Sequence, residues 1–469
     1  MKFNTMLKIF NSYTRLQEQL EVDKKKTINM YVCGITAYDF CHIGHGRTFI
    51  FFDVVVRYLR SLGYALKYVR NITDIDDKII AASLKNNESY ISLSNRMISN
   101  MKDDFSALNI LPPDSEPRVT ENISDIIKFI SILLNKKHAY VACNGDIMFS
   151  VSSYLNYGAL SNQFSKILNK EINISHYSTK KNIADFALWK TSKSSIFVGW
   201  NSPWGNGRPG WHIECSSMCR SAFKNKIDIH GGGVDLLFPH HENELAQSVC
   251  IDSNFSIKHW MHTGLVIINN EKMSKSLNNT LLLRDLLTQY DSEIIRFFLL
   301  STHYRHPLYF CYKNLSNSSK LLKKLYLSLR GVDFDIKGLD IVDNFKTDFY
   351  KAMNSDFNTP LALSILLRLS KEINKFKLID SNKASQLASK LRQLGSILGI
   401  LLKDPEYFLQ NNFNCNNSII GKINSLIYER DKARRVKDWV RADRIRKELL
   451  ELGIVLEDTS FNTFWRSLQ

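Results

Sequence analysis

Apolar positions in the first third of the chain change period twice. Ile28 to Cys33 is a short apolar run with a β-branched start, which predicts a strand. From Gly44 to Leu62 apolar residues recur at helical spacing (Phe49, Phe52, Val56, Leu59), and Gly63 follows as a C-cap. Lys67 to Ile72 returns to the strand pattern. Strand, helix and strand in this order predict a βαβ unit, a parallel sheet with a right-handed crossover.

Pro112, Pro113 and Pro117 then interrupt the chain. Asn122 to Lys137 is periodic and predicts a helix, and Tyr140 to Val151 predicts a hairpin turning on Asn144-Gly145. Ser192 to Gly210, rich in Ser, Gly and Pro, predicts loop. Sheet building resumes at Lys226 to His230, before Gly231-Gly-Gly233 and a helix from about His240 to Cys250. Beyond about Arg284 the pattern is almost wholly helical, and an Asn-rich break, Asn411 to Asn417, sets off a small C-terminal module. The predicted class is therefore α/β: a parallel-sheet domain split by an insertion, followed by an all-helical C-terminal half.

Composition narrows the classes. The 469 residues are 44% hydrophobic and 23% charged, enough for a large core. The most apolar run, Phe49 to Leu59, contains Asp53 and Arg57 and predicts an amphipathic helix, not a membrane span. Met1 to Thr14 lacks a secretory pattern, so the cytoplasm is the expected compartment. Eight cysteines spread over so long a chain do not form a disulfide scaffold. A net charge of +16 leans toward a polyanionic partner, although an A/T-rich genome inflates Lys in the same way.

Two short motifs carry phosphate chemistry. His42-Ile-Gly-His45 stands where the first strand gives way to the first long helix. A helix N-terminus offers unpaired N–H groups and partial positive charge to phosphate, Gly44 permits close approach, and His42 and His45 can donate. Alone, such a tetrapeptide is only two histidines at a turn. Lys272-Met-Ser-Lys-Ser276 follows Val266-Ile-Ile268, and its two lysines can clamp phosphates as pyrophosphate leaves. A third group is metal-like. His240 and Glu244 are four apart on a predicted helix, so they share a face. Cys33 and Cys215 can complete a mixed-ligand zinc site. Cys219 and His241 are the rival ligands; Cys219 lacks a second cysteine pair, and His241 is expected to point away from Glu244.

The two motifs, in this order, resemble those of class I aminoacyl-tRNA synthetases. With the four candidate ligands added, the chain resembles the cysteinyl-tRNA synthetase family from about Leu7 to the C-terminus. The resemblance implies a split Rossmann-type catalytic domain over 1–115 and 206–300, an inserted acceptor-end domain over 116–205, a helical bundle over 301–410 and an anticodon-binding module over 411–469. It implies ATP, used with magnesium, L-cysteine and cysteine tRNA as partners, no membrane, and a monomer. Cys33, Cys215, His240 and Glu244 would hold one zinc, which reads the substrate thiolate directly. Zinc binds a thiolate far better than a serine hydroxyl, so no editing domain is expected.

Further roles come from the same resemblance. His42, His45, Lys272 and Lys275 would be catalytic, with Lys275 tied to the transition state, and Gly44 and Ser274 would join them in binding ATP. Thr36, Thr73, Trp211 and Asp235 would line the cysteine pocket, Asp235 accepting the α-ammonium, although Trp211 suits plain core equally well. Asn71 to Asp77 also resembles the family; its carboxylates are expected to be solvated strand-end acids. Arg430 to Lys447 carries nine Lys or Arg and three Asp, with Ala433, Val436, Val440, Ile445 and Leu449 at helical spacing. Arg434, Trp439 and Asp443 would read the anticodon, Trp439 by stacking on a base. This chain has Val234 and Asn278 where the family commonly has Ser and Gly.

Three other signatures fail. Gly205 to Gly210 fits G-x-G-x-x-G, but Pro209 and a loop replace the required strand-to-helix turn. His241-Glu242 begins a zinc-protease motif that Leu245 breaks. No G-x-x-x-x-G-K-[ST] loop is present. Two rival functions remain: a paralogue joining cysteine to an amino sugar, which the basic C-terminal module argues against, and a non-catalytic zinc and RNA-binding derivative, which intact His42, His45 and Lys275 argue against.

Overall fold

The structure, a computed structural model, describes residues 6–21, 26–163, 180–192, 199–224, 226–269, 271–272, 280–334, 344–410, 417–458 and 463–467. They fall into two compact units. The first is Met1–Leu286 with Leu299–Cys311 and Tyr350–Ala362; the second is Leu287–Phe298, Tyr312–Phe349 and Leu363–Gln469.

The first unit opens on a small hairpin, β1 (Lys8–Phe10) and β2 (Gln17–Gln19). The predicted βαβ unit follows as β3 (Ile28–Thr36), α1 (Ile43–Ser61) and β4 (Leu66–Thr73). Its two strands pair in parallel, and Gly63 after the helix takes φ +83°, the left-handed value a C-cap needs. α2 (Asp77–Lys85) and α3 (Tyr90–Ala107) continue the chain. The region then inserted contains α4 (Ile123–Asn135) and an antiparallel sheet of β5 (Ala139–Val141), β6 (Ile147–Phe149), β7 (Phe186–Thr191) and β8 (Gly207–Pro209). The expected hairpin is β5–β6. Part of the segment read as loop is strand instead, because β8 pairs with β7.

The main sheet resumes after α5 (Trp211–Phe223) with β9 (Lys226–Gly233), α6 (Glu242–Ile251) and β10 (Ser256–Thr263). The strand order is β10-β9-β3-β4, all parallel. In such sheets ligands collect at the carboxyl ends of the strands. Past β10 come β11 (Val266–Ile268), β12 (Glu271–Lys272) and β13 (Leu308–Phe310), forming a small sheet of their own.

α1 is not amphipathic as expected. Phe49 to Val56 are all buried, Asp53 included. The helix is covered on both sides: Phe49 meets Phe105 of α3 at 5.0 Å, and Phe51 stacks on Tyr304 at 4.0 Å. Asp53 is satisfied inside by Arg57 at 2.8 Å and by the Leu111 N–H at 2.9 Å. Arg47, 2% exposed, donates to the carbonyls of Gly264, Leu299, His303 and His306 at 2.8–3.3 Å. One guanidinium thereby ties the start of α1 to the segment that leaves β10.

The second unit is mainly helical, with helices such as Tyr312–Leu329, Ser381–Ile397, Asn417–Arg435 and Trp439–Glu451. The pattern read as helical to the end closes instead on a hairpin, β14 (Ile454–Asp458) and β15 (Thr463–Ser467). Its inward Ile454, Leu456 and Trp465 complete a core with Ile423, Ile445 and Leu449. Among the described residues no helix is long and apolar enough to cross a membrane.

Candidate active site and metal centre

Cys33 lies at an irregularity in β3, where register shifts between Val32 and Ile35. Gly34 makes the shift tolerable: a Cβ there would stand 1.6 Å from the Asn71 carbonyl oxygen. Cys215 is on the first turns of α5, His240 on a π-type turn (Leu237–His241), and Glu244 on α6 just beyond it. These four come together. Cys33 Sγ is 3.6 Å from Cys215 Sγ and 3.3 Å from Glu244 Oε1, and His240 Nε2 is 2.9 Å from the same oxygen. All four are buried.

The donor set fits a zinc ion. Ligands on a tetrahedral ion with bonds of about 2.0–2.3 Å stand roughly 3.3–3.8 Å apart, and the spacings here are close to that. Each of the four groups is electrostatically perturbed by the others. Burial and the adjacent Cys215 push the Cys33 thiol well up. The hydrogen bond from Cys33 draws the Cys215 thiol down to about 7 against burial. Burial opposes charge on His240, yet Glu244 and Cys215 raise it to about 10. Burial also opposes charge on Glu244, but His230 and His240 hold it below the ordinary carboxylate value.

Sequence reasoning missed one histidine here and rejected another. His230, within β9, has Nε2 3.4 Å from Glu244 Oε2 and 3.7 Å from Cys33 Sγ. His241 does not point away from Glu244 as expected: its Nε2 is 3.9 Å from Glu244 Oε1, buried and without a hydrogen-bond partner. His241 and Glu244 are three apart with helical backbone at His241 and Glu242, a spacing that puts both on one face. Cys33, His230, His241 and Glu244 thus form a second, overlapping donor set. The only sequence signal was a histidine at a strand end before three glycines. Cys219 stays outside both sets.

A cleft of about 290 Å³ joins this centre to the phosphate motif. Its lining includes Cys33, Cys215 and His240 of the donor group, His42, Gly44 and His45 of the phosphate motif, and Thr36, Thr73, Trp211 and Asp235. Trp211 is 37% exposed and stacks on His240 at 4.4 Å, so it is a wall of the cleft and not core. The Thr73 hydroxyl donates to buried Glu214 at 2.9 Å. Of the strand-end acids, Asp74 is not solvated as expected: it is 3% exposed and accepts from the Thr120 N–H and hydroxyl, whereas Asp77 is exposed and pairs with Lys190 and Arg208.

The α1 N-terminus is less open than its sequence suggested. The His42 N–H donates to His45 Nδ1 at 3.2 Å, the His45 N–H to His42 Nδ1 at 3.4 Å, and the Ile43 N–H to the Leu281 carbonyl. Those backbone donors are spent. With Nδ1 accepting, each neutral ring carries its proton on Nε2. The rings stack at 3.7 Å, which holds them side by side. Lys272 ends β12, while Ser274, Lys275 and Asn278 lie outside the described residues.

In the C-terminal module Trp439 is 58% exposed at the start of its helix, and Asp443 is exposed one turn on. Arg434 Nη1 pairs with Asp458 Oδ1 at 2.9 Å. Val436 and Val440 are not core positions. The chain turns at Lys437 (φ +60°), the helical phase restarts, and both valines are exposed.

A profile described as tRNA synthetases class I (C) catalytic domain matches residues 19–320, a DALR domain matches 348–403, and a cysteinyl-tRNA ligase anticodon binding domain matches 419–466. The chain is 51% identical over 463 residues to the cysteine–tRNA ligase of Mannheimia succiniciproducens, covering 99% of this chain and all of that one. It is 51% identical over 461 residues to that of Pectobacterium carotovorum, covering 98% and 100%. Among solved structures, Mycobacterium tuberculosis methionyl-tRNA synthetase with methionyl-adenylate aligns at a TM-score of 0.59 and 14% identity, over 80% of this chain and 89% of that one. That likeness speaks to the fold alone.

Proposed function

Since the chain belongs to the cysteinyl-tRNA ligase family of class I synthetases, we propose that its cleft activates L-cysteine with ATP and transfers it to the 3′ end of cysteine tRNA. Cysteine–tRNA ligation is the activity of the family at this level of identity. The observation that carries the residue-level reading is that one cleft is lined both by Cys33, Cys215 and His240 and by His42, Gly44 and His45.

Cys33, Cys215, His240 and Glu244 would hold one zinc ion, which supplies a Lewis acid that prefers a thiolate to a hydroxyl. The remaining work belongs to the chain. Asp235 accepts from the α-ammonium, and Thr36 and Thr73 bracket the polar end of the substrate. Trp211, stacked on His240, closes that side against water. The substrate carboxylate attacks the α-phosphorus of magnesium-bound ATP, the bond to the β-phosphate oxygen breaks, and pyrophosphate leaves. The Nε2–H groups of His42 and His45, with Gly44 allowing close approach, donate to phosphate oxygens as charge moves onto pyrophosphate; Lys272, Ser274 and Lys275 would stabilise the same charge. A ribose hydroxyl of the tRNA then attacks the acyl carbon and AMP departs. Arg434, Trp439 and Asp443 read the anticodon, the exposed indole by stacking.

The same reading divides the chain at about 115, 205, 300 and 410 into the two catalytic halves, the insertion, the helical bundle and the anticodon module. It makes the protein a cytoplasmic monomer. The test is charging of cysteine tRNA with labelled cysteine and ATP, with serine as control. Cysteine-only charging supports the reading. Absence of charging by zinc-loaded, folded protein refutes it, and ATP–pyrophosphate exchange then separates the amino-sugar paralogue from a binding protein.

A further inference from the structure

Lys78 is the one lysine or arginine among the described residues that line the cleft. No role described above uses it. It stands on the first turn of α2, where the Asp76 carboxylate caps its N–H at 2.8 Å. Its Nζ lies 5.7 Å from the ring centre of Tyr38, another cleft residue. The neighbouring Asp77 is held by Lys190 of β7 and Arg208 of β8, so the start of α2 is tied to the inserted sheet. Those two cations occupy the carboxylate nearest in sequence, and among the described residues Lys78 forms no ion pair. An exposed ammonium at the rim of a substrate cleft, left without an acid, suits an anionic ligand.

Sheet order indicates which anion. α2 follows β4, one outermost strand of the sheet, whereas the β11–β12 segment that leads to Lys272 follows β10, the opposite outermost strand. Three strand spacings separate these edges, roughly 14 Å. His42 and His45 begin α1 and follow β3, between the two. The departing pyrophosphate is therefore handled between α1 and the β10 edge. Lys78 stands at the β4 edge, on a helix start tied to the inserted sheet, which the resemblance makes the acceptor-end domain. The nucleic acid is the substrate with phosphates still to be met.

We propose that Lys78 contacts a backbone phosphate of the tRNA 3′ end and positions it for the transfer half-reaction, taking no part in adenylate formation. The inference rests on the ligase reading above. It is tested in the full-length protein with Lys78→Ala and Lys78→Arg, measuring cysteine-dependent ATP–pyrophosphate exchange and charging of cysteine tRNA at several salt concentrations. With Lys78→Ala, exchange should stay within about 2-fold of wild type while kcat/KM for tRNA falls about 10-fold, the loss of one charge-assisted contact. The slope of log affinity against log salt should shrink by about 0.7, one single-strand phosphate. Lys78→Arg should keep most of the charging. Loss of exchange and charging together would assign Lys78 to ATP and overturn the inference. Unchanged charging, or an unchanged salt slope, would overturn it too. Failure of the wild-type protein to charge cysteine tRNA would instead sink the ligase reading, so the two failures are distinguishable.

Discussion

Replacing Cys215 by serine removes one donor from the metal centre with little change of volume. The thiol is 2% exposed and stands 3.6 Å from Cys33 Sγ, so the hydroxyl enters the same dry site. Structural zinc sites are worth about 10–16 kcal/mol over four ligands, which puts one ligand at roughly 3–4 kcal/mol. A serine hydroxyl stays protonated and recovers little of that. Metal affinity should therefore fall by about 10²–10³-fold, at about 1.4 kcal/mol per decade. The assay is zinc stoichiometry of Cys215→Ser after equilibration with chelator buffers of graded free zinc, alongside KM for cysteine and for ATP in pyrophosphate exchange. KM for cysteine should rise with the loss of metal while KM for ATP holds, because His42 and His45 are not among the metal donors. One zinc per chain retained at the wild-type chelator midpoint would refute the assignment. The holder would then be the overlapping set of Cys33, His230, His241 and Glu244.

Other expectations follow from the same geometry. Lys275→Ala should lower the rate of adenylate formation by at least about 100-fold and leave affinity for cysteine tRNA nearly unchanged; an unaltered exchange rate contradicts the role. Trp439→Ala should weaken tRNA binding by about 1–3 kcal/mol without lowering thermal stability, since the indole is 58% exposed. A fall in melting temperature with unchanged tRNA affinity would make it a packing residue. The hydrogen bonds from Arg430, with the charges of Arg430 and Arg434, hold the Asp458 carboxyl below its ordinary value. A depressed folded-state pKa gives stability that is present above the unfolded value of about 3.9 and lost as pH falls below it. Protection of 454–467 against amide exchange should therefore hold from pH 7 to about 5 and decline in more acidic buffer. Asp458→Asn should cost about 1 kcal/mol at pH 7 after allowing for solvent screening and flatten the acid decline; an undiminished decline would place the acid sensitivity elsewhere.

Much of the catalytic framework was legible in the sequence because its causes are local. The α1 period and its closing Gly63, the β3 and β4 runs and the hairpin at Asn144-Gly145 depend on residues within a turn or two of one another. Cys33, Cys215, His240 and Glu244 were also legible, but only as a constellation of motifs, since no spacing in the chain brings residues 182 apart to 3.6 Å. Strand order does that, by setting β9 beside β3 and α5 over them.

What failed to read from the chain depended on packing around each element. The period of α1 could not reveal that α3 and Tyr304 cover its outer side, so Asp53 and Arg57 passed for a wet face. Val436 and Val440 kept a helical rhythm on paper across a turn that restarts the phase at Lys437. His241 was excluded although a residue three positions before Glu244 shares its helical face, and its Nε2 lies 3.9 Å from Glu244 Oε1. The N–H groups ahead of α1 were counted as open until the two histidines were seen to cap each other. Sequence by itself determined which side chains were available and which elements they ride on. Tertiary structure decided which lone pairs and protons face the cleft, because direction and burial are set by neighbours that are far away in the chain.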